Sequence, residues 1–166
     1  MLNPPHPVAR LAYALATYVN PNNHALDGGR ASSAMEKEAV AQIAAMYGLP
    51  SHLGHLTSGG TMANFEALWI SRELEPGKAV AASSQAHYTH GRLSSVLGVP
   101  FVEIEVDASG RMSLDSLADA ISSDMIGTVV ATLGTTAAGR TDPLPEILAR
   151  CRRHGVRDLD RLEGVG

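Results

Sequence analysis

Residues 79–106 read AVAASSQAHYTHGRLSSVLGVPFVEIEV, and the change of hydrophobic period along this stretch decides the fold. AVAAS (79–83) is a short apolar run of strand type, HYTHGRLSSVLG (87–98) has a helical pattern, and FVEIEV (101–106) alternates apolar and polar residues as a strand does.

The same alternation continues on both sides. Downstream, DASGRMS (107–113) is a turn and SLDSLADAI (113–121) a capped helix. MIGTVVATLGTT (125–136) is a β-branched strand running into a polar loop, and DPLPEILARCRRHG (142–155) is a helix with Pro143 and Pro145 near its start, where a missing N–H costs little. Upstream, a helix is predicted from about Thr61 to Leu74, closed by EPGK. Before it, Ser32 or Ser33 is placed to cap a helix in which Met35, Ala39, Val40, Ile43 and Met46 recur at three- and four-residue spacing up to Gly48. The segment VNPNNHALDGGRASS (19–33) is rich in turn formers, so the N-terminus reads as an extended arm with at most one short helix in LAYALATYV (11–19). Strands alternating with helices predict an α/β fold around a mainly parallel sheet.

At 166 residues and 45% apolar composition the chain is long enough for one domain with a core. Thirteen basic against 17 acidic side chains, a net charge of −4 with no long single-sign run, argue against a nucleic-acid footprint or an anionic-membrane patch. The expected partners are small molecules or other protein chains. The lone Cys151 leaves no intrachain disulfide, and no secretory leader or membrane-length apolar run is visible, so a cytoplasmic location is expected.

TSGGTMAN (57–64) joins hydroxyls to a glycine pair at a helix start. Glycines let a ligand approach the backbone, and the first N–H groups of a helix carry partial positive charge, which suits a phosphate dianion. Equally, Ser58 or Thr61 is placed simply to N-cap the helix. The stretch is neither a P-loop, lacking GK[ST], nor a GxGxxG fingerprint. His52/His55 and His87/His90 have i, i+3 spacing, but no nearby Cys or carboxylate completes a metal set, and no metal is expected. His87 follows a strand and opens a helix, at the sheet edge where ligands bind in open α/β folds, and Thr135, Thr136 and Asp142 on the next strand's loop reach that same edge. For these the bland readings are a satisfied turn and, at Asp142, a helix N-cap. A Ser/His/Asp hydrolase is disfavoured because no G-x-S-x-G elbow is present.

Taken in order, DGGRASSAMEKEAVAQIAAMYGLP (27–50), GHLTSGGTMANFEAL (54–68), SSQAHYTH (83–90) and VVATLGTTAAGRTDPLPEI (129–147) closely resemble the pyridoxal-phosphate-dependent group II amino-acid decarboxylases, the family of the aromatic-amino-acid, tyrosine and glutamate enzymes. The resemblance runs from about Pro21 to Val156. It implies part of a fold type I large domain in αβα layers, with residues 1–31 as an arm, 32–156 as the partial cofactor-binding domain and 157–166 as a divergent charged tail. It implies pyridoxal 5′-phosphate as cofactor, with Gly59, Gly60 and Thr61 at the phosphate, His87 stacked on the pyridine ring, Thr136 in the GTT loop beside the cofactor, and Asp142 closing that loop. An amino acid is the implied substrate, a carboxy-lyase reaction the implied activity, and a homodimer the implied assembly of the full-length family.

Two family groups are not matched. A lysine bonds the cofactor in the family, and an aspartate on an HVDAA-type strand pairs with the pyridinium nitrogen. This chain instead continues RDLDRLEGVG after Val156, and its two lysines, Lys37 and Lys78, lie in no family lysine motif. Asp158 and Asp160 stand in charged rather than apolar surroundings and are not carried over. The expectation is therefore a truncated domain, inactive alone and poorly covered where the apolar strand is replaced, or else a non-catalytic phosphate-binding chain completed by a partner.

Overall fold

The computed structural model describes residues 4–19, 21–22 and 26–158, with the side chains of Arg157 and Asp158 left aside. The remainder of the expected tail, Asp160 included, lies outside the described residues. The chain divides into two compact units, Met1–Leu56 and Thr57–Gly166.

In the first unit, α1 (Pro7–Ala16) starts on His6, whose Nδ1 accepts the Val8 N–H at 3.3 Å, with Pro7 in the first turn. A single 3-10 turn (Leu26–Gly28) leads to α2 (Arg30–Met46). Neither Ser32 nor Ser33 caps α2. The helix starts earlier, on Gly29, whose carbonyl accepts both the Ser33 N–H at 2.8 Å and the Ser32 hydroxyl at 3.1 Å. A serine hydroxyl inside the first turn bonds back to a carbonyl as readily as it caps, and here the glycine takes the cap position. Of α2 only Ser33 and Ala44 are buried, and α1 buries nothing.

The second unit follows the predicted order: α3 (Gly60–Leu74), β1 (Ala79–Ser83), α4 (Thr89–Leu97), β2 (Phe101–Ile104), α5 (Leu114–Ser122), β3 (Ile126–Val130), α6 (Leu144–Arg153) and β4 (Arg157–Asp158). The strands form one parallel sheet in the order β2-β1-β3-β4. All residues of β1 and β3 are buried, as a parallel sheet covered on both faces requires. Side-chain alternation sorts the core into two layers. Ala79, Ala81 and Val129 face Leu117, Ile121, Ile147 and Cys151 of α5 and α6. Val80, Ala82 and Val130 face Leu68 of α3, with Leu93 and Leu97 of α4 packed alongside. The result is the expected αβα sandwich.

The charged tail does not leave the sheet at once. Arg157 and Asp158 pair in parallel with Thr128 and Val129, so the outer edge of β3 is partly covered. Backbone pairing is indifferent to side-chain charge, which is why a sequence reading based on hydrophobicity passes over β4.

Two consequences of the topology place the site. The chain leaves β1 towards β2 and returns to β3 on β1's other side, so the loops after β1 and β3 diverge from adjacent carboxyl ends at a topological switch point, the position where open α/β sheets bind ligands. α3 runs into β1 through the short turn at residues 75–78, so its amino end returns to the same carboxyl edge. Among the described residues, no helix is long and apolar enough to cross a membrane.

Candidate functional site at the carboxyl edge of the sheet

The glycine pair forms an open helix start. Gly59 is the N-cap of α3 with φ 152°, a conformation open in practice only to glycine, and no side chain caps this end. The Gly59 carbonyl accepts the Met62 and Ala63 N–H groups at 3.0 and 3.1 Å, and the Thr57 hydroxyl donates to it at 3.0 Å. Neither Ser58 nor Thr61, the sequence candidates for a cap, takes that role. A Cβ built on Gly59 or Gly60 meets nothing within 4 Å, and both residues and Thr61 are exposed. The helix start thus has open space beside its two glycines and no side-chain acceptor for its first amides. That is the arrangement an anionic group fits.

His87 is reached directly from β1. The turn after the strand is closed by Ser83, whose hydroxyl accepts the Gln85 N–H at 3.0 Å and whose carbonyl accepts the Ala86 N–H at 2.9 Å. The exposed imidazole then packs its centroid 4.4 Å from Tyr88, and its Nδ1 sits 2.8 Å from the Thr89 hydroxyl. Tyr88 in turn carries the Arg92 guanidinium 5.5 Å above its ring. Asn64 of α3 donates from Nδ2 to the same Thr89 oxygen at 3.4 Å, so the glycine-rich helix and the histidine turn are joined. Asn64, Tyr88 and Thr89 were not singled out from sequence. The only local signal was a hydroxyl residue two positions after His87. His90, one helical turn on, is buried, and burial followed by the nearby His87 pushes its pKa down to about 4.

The loop after β3 is braced rather than open. Thr135 is buried; its hydroxyl accepts the Arg140 N–H at 2.9 Å and its carbonyl accepts the Gly139 N–H at 2.8 Å. This closes a compact turn that leaves Thr136 exposed at its tip. Asp142 does not cap α6, whose N-cap is Pro143 with no side-chain bond. Its buried carboxylate accepts the Met112 N–H at 2.7 Å and the Thr132 N–H at 2.8 Å. Asp142 therefore staples the loop after β3 to the turn after β2. That turn is itself built on Asp107, whose carboxyl is held well below the usual range by the Ser109 hydroxyl and the Arg111 backbone.

Gly59, Gly60, Thr61, His87 and Thr136 are thus exposed on elements that converge on one edge, while Asp142 shapes the loop from below. Lys78, in the same unit, does not accompany them. Lys78 precedes β1, so the full strand, about 16 Å at the usual rise, separates it from the His87 turn. Its Nζ donates to Asp124 at 3.2 Å. Lys37 lies on α2, in the other unit. Among the described residues no group of three or more His, Cys, Asp or Glu side chains is placed to hold a metal ion.

Comparison with known proteins follows the same lines. The conserved domain of the pyridoxal-dependent decarboxylases matches residues 7–158. A probable L-aspartate decarboxylase of Halobacterium salinarum is 33% identical over 149 residues, covering 89% of this chain and 41% of that protein. A probable L-tyrosine/L-aspartate decarboxylase of Methanoculleus marisnigri is 30% identical, covering 89% of this chain and 40% of that protein. The crystal structure of mouse CSAD superposes with a TM-score of 0.84 at 25% identity, over 93% of this chain and 36% of that one. The chain spans about two-fifths of the length of the curated relatives it matches. Its sheet and flanking helices are the corresponding part of a fold type I large domain. With the match running through nearly every described residue, this chain belongs to the pyridoxal-dependent decarboxylase family.

Proposed function

We propose that this chain is the phosphate-anchoring and ring-orienting part of a pyridoxal-phosphate-dependent amino-acid carboxy-lyase. The observation that carries the reading is the convergence, on one sheet edge, of an uncapped glycine-rich helix start, an exposed imidazole and an exposed threonine loop. In this reading the Gly59–Thr61 amides and the Thr61 hydroxyl would hold the phosphate, and the His87 imidazole would orient the pyridine ring. Thr136 borders the ring, and Asp142 acts by fixing the Thr136 loop. When bound, the cofactor supplies an electron sink for the pair left as carbon dioxide departs. The chain's own residues anchor it and hold its plane. The relatives' names favour an amino acid with an acidic or phenolic side chain as substrate. The exposed Val8, Leu11, Tyr13 and Leu15 of α1 favour burial against a second chain, and a homodimer is the assembly we propose for the whole protein.

The chain as it stands is proposed to bind without turning over. Lys78 sits at the far end of β1, and that placement favours a non-catalytic cofactor-binding chain completed by a partner as the second reading. Titrating the chain with pyridoxal phosphate tests both. Gly60→Val, which puts a branched side chain where the backbone is open, is expected to abolish binding, and Thr61→Ala to weaken it roughly tenfold for one lost hydrogen bond to a charged group. Unchanged affinity in both variants sinks the proposal. Borohydride treatment is expected to trap no lysine adduct, and a trapped adduct together with amine production would show the chain to be an active enzyme.

A further inference from the structure

Resting on the reading of His87 as the residue that faces the cofactor ring, we propose that Thr89 and Asn64 are positioning residues that fix the tautomer and the plane of the His87 imidazole. Three contacts define the arrangement. The Thr89 backbone N–H points at His87 Nδ1 from 3.4 Å, the Thr89 hydroxyl lies 2.8 Å from the same nitrogen, and Asn64 Nδ2 donates to the Thr89 oxygen at 3.4 Å.

Only one proton arrangement satisfies all three. An N–H aimed at Nδ1 needs a lone pair there, so in the neutral ring Nδ1 is the acceptor and the proton resides on Nε2. The Thr89 hydroxyl then donates its single proton to Nδ1, and its oxygen lone pairs are free to accept from Asn64. Protons therefore run one way, from Asn64 to Thr89 to His87. The ring is held on one nitrogen by two donors from a buried residue and packs beside Tyr88, which fixes its orientation, while Nε2–H stays outside the chain of bonds.

Thr89 is 4% exposed, whereas His87 is exposed, so the hydroxyl is a buried support under a surface side chain whose other contact is the Tyr88 ring. Capping alone does not account for this. α4 starts on Tyr88 with no side-chain cap bond, and the Thr89 N–H contact to Nδ1 requires neither the hydroxyl nor an amide reaching over from α3, 25 residues away in sequence. Asn64 ties the imidazole to the helix whose amino end is the proposed phosphate anchor, so ring and anchor keep a fixed relation.

Long-range 15N–1H spectra of the imidazoles, recorded on the ligand-free chain at pH 8, test the arrangement without any activity. The wild-type chain is expected to show His87 as the Nε2–H tautomer. Thr89→Val, which keeps shape and backbone but removes the hydroxyl, is expected to give a tautomer mixture, and Thr89→Ser to restore the single form. Asn64→Ala is expected to shift His87 in the same direction by less, since its bond is long. An Nδ1–H wild type, or a Thr89→Val chain with the wild-type pattern, overturns the proposal. Should Thr89→Val lose its far-ultraviolet circular dichroism, the Thr89→Ser and Asn64→Ala spectra decide. A second readout is the visible circular dichroism induced in bound pyridoxal phosphate, expected to fall several-fold in Thr89→Val and to recover in Thr89→Ser. Wild-type spectra of the expected form with no cofactor binding would refute the decarboxylase reading and leave the pinned imidazole standing.

Discussion

The two ends of β1 differ as sharply as any two regions of this molecule. At its carboxyl end the chain opens out: Gly59 and Gly60 have empty space above them, His87 and Thr136 are exposed, and the turn side chains are spent on orienting one imidazole. At its amino end the chain is closed. A Cβ on Gly127 would lie 2.8 Å from the Cβ atoms of both Glu75 and Lys78, the register of β3 slips beside β1 at this point, and Lys78 pairs with Asp124. One edge of the sheet is open to solvent, and the other packs against itself. In a parallel sheet all strands share a direction, so every loop of one edge can be given to a ligand while the opposite edge holds the layers together.

The largest expected effect separates shaping residues from contact residues at the open edge. Asp142→Ala removes the acceptor of two backbone N–H groups, one of them buried, and is expected to cost about 4 kcal/mol in urea unfolding. A loss under about 1 kcal/mol would mean that the two loops do not depend on the staple.

His90 gives the next effect, through pH. Its folded pKa is about 4 against an ordinary 6.5, so the unfolded chain takes up a proton first. The contribution is fully present above about pH 6.5, falls as pH is lowered towards 4, and amounts to roughly 3 kcal/mol over that window. Unfolding free energies measured between pH 7.5 and 4 should lose this slope in His90→Leu, and an unchanged slope would assign it to other groups.

At the closed edge, Gly127→Ala is expected to destabilise by about 2 kcal/mol, because two backbone-proximal Cβ atoms must move and neither is the far end of a flexible side chain. A thermal melt within a degree of the wild type would show that the bulge relaxes freely. Smallest is Lys78→Met, which removes a pair whose Asp124 side chain is 88% exposed and is expected to change stability by less than about 1 kcal/mol. Cofactor titration of Lys78→Met is expected to match the wild type, and a lower affinity would place Lys78 at the site after all.

What was legible in advance was local. The α/β alternation, the Ser113 cap of α5, the prolines opening α6 and the polar loops after β1 and β3 depend on residues within a turn or two of each other, where period and capping rules act. The motif order then pointed to the family, to which the chain belongs, and the expectation that Gly59, Gly60, Thr61, His87, Thr136 and Asp142 serve the cofactor is the part carried on as a proposal. The misreadings were local competitions with nearly equal outcomes, as at Ser32 and Ser33, where a glycine one turn earlier took the cap. β4 was missed because hydrogen-bond pairing is carried by the backbone and leaves no trace in a charged side-chain pattern.

By itself, then, the sequence determined which elements form and which residue types are offered at their ends. Only the tertiary structure decided what those residues do. It buried Asp142 against an amide 30 positions away and brought Asn64 to Thr89 from another helix. Hydrogen bonds and separations of this kind are fixed by where whole elements stack. No period, cap or spacing in the chain encodes them directly.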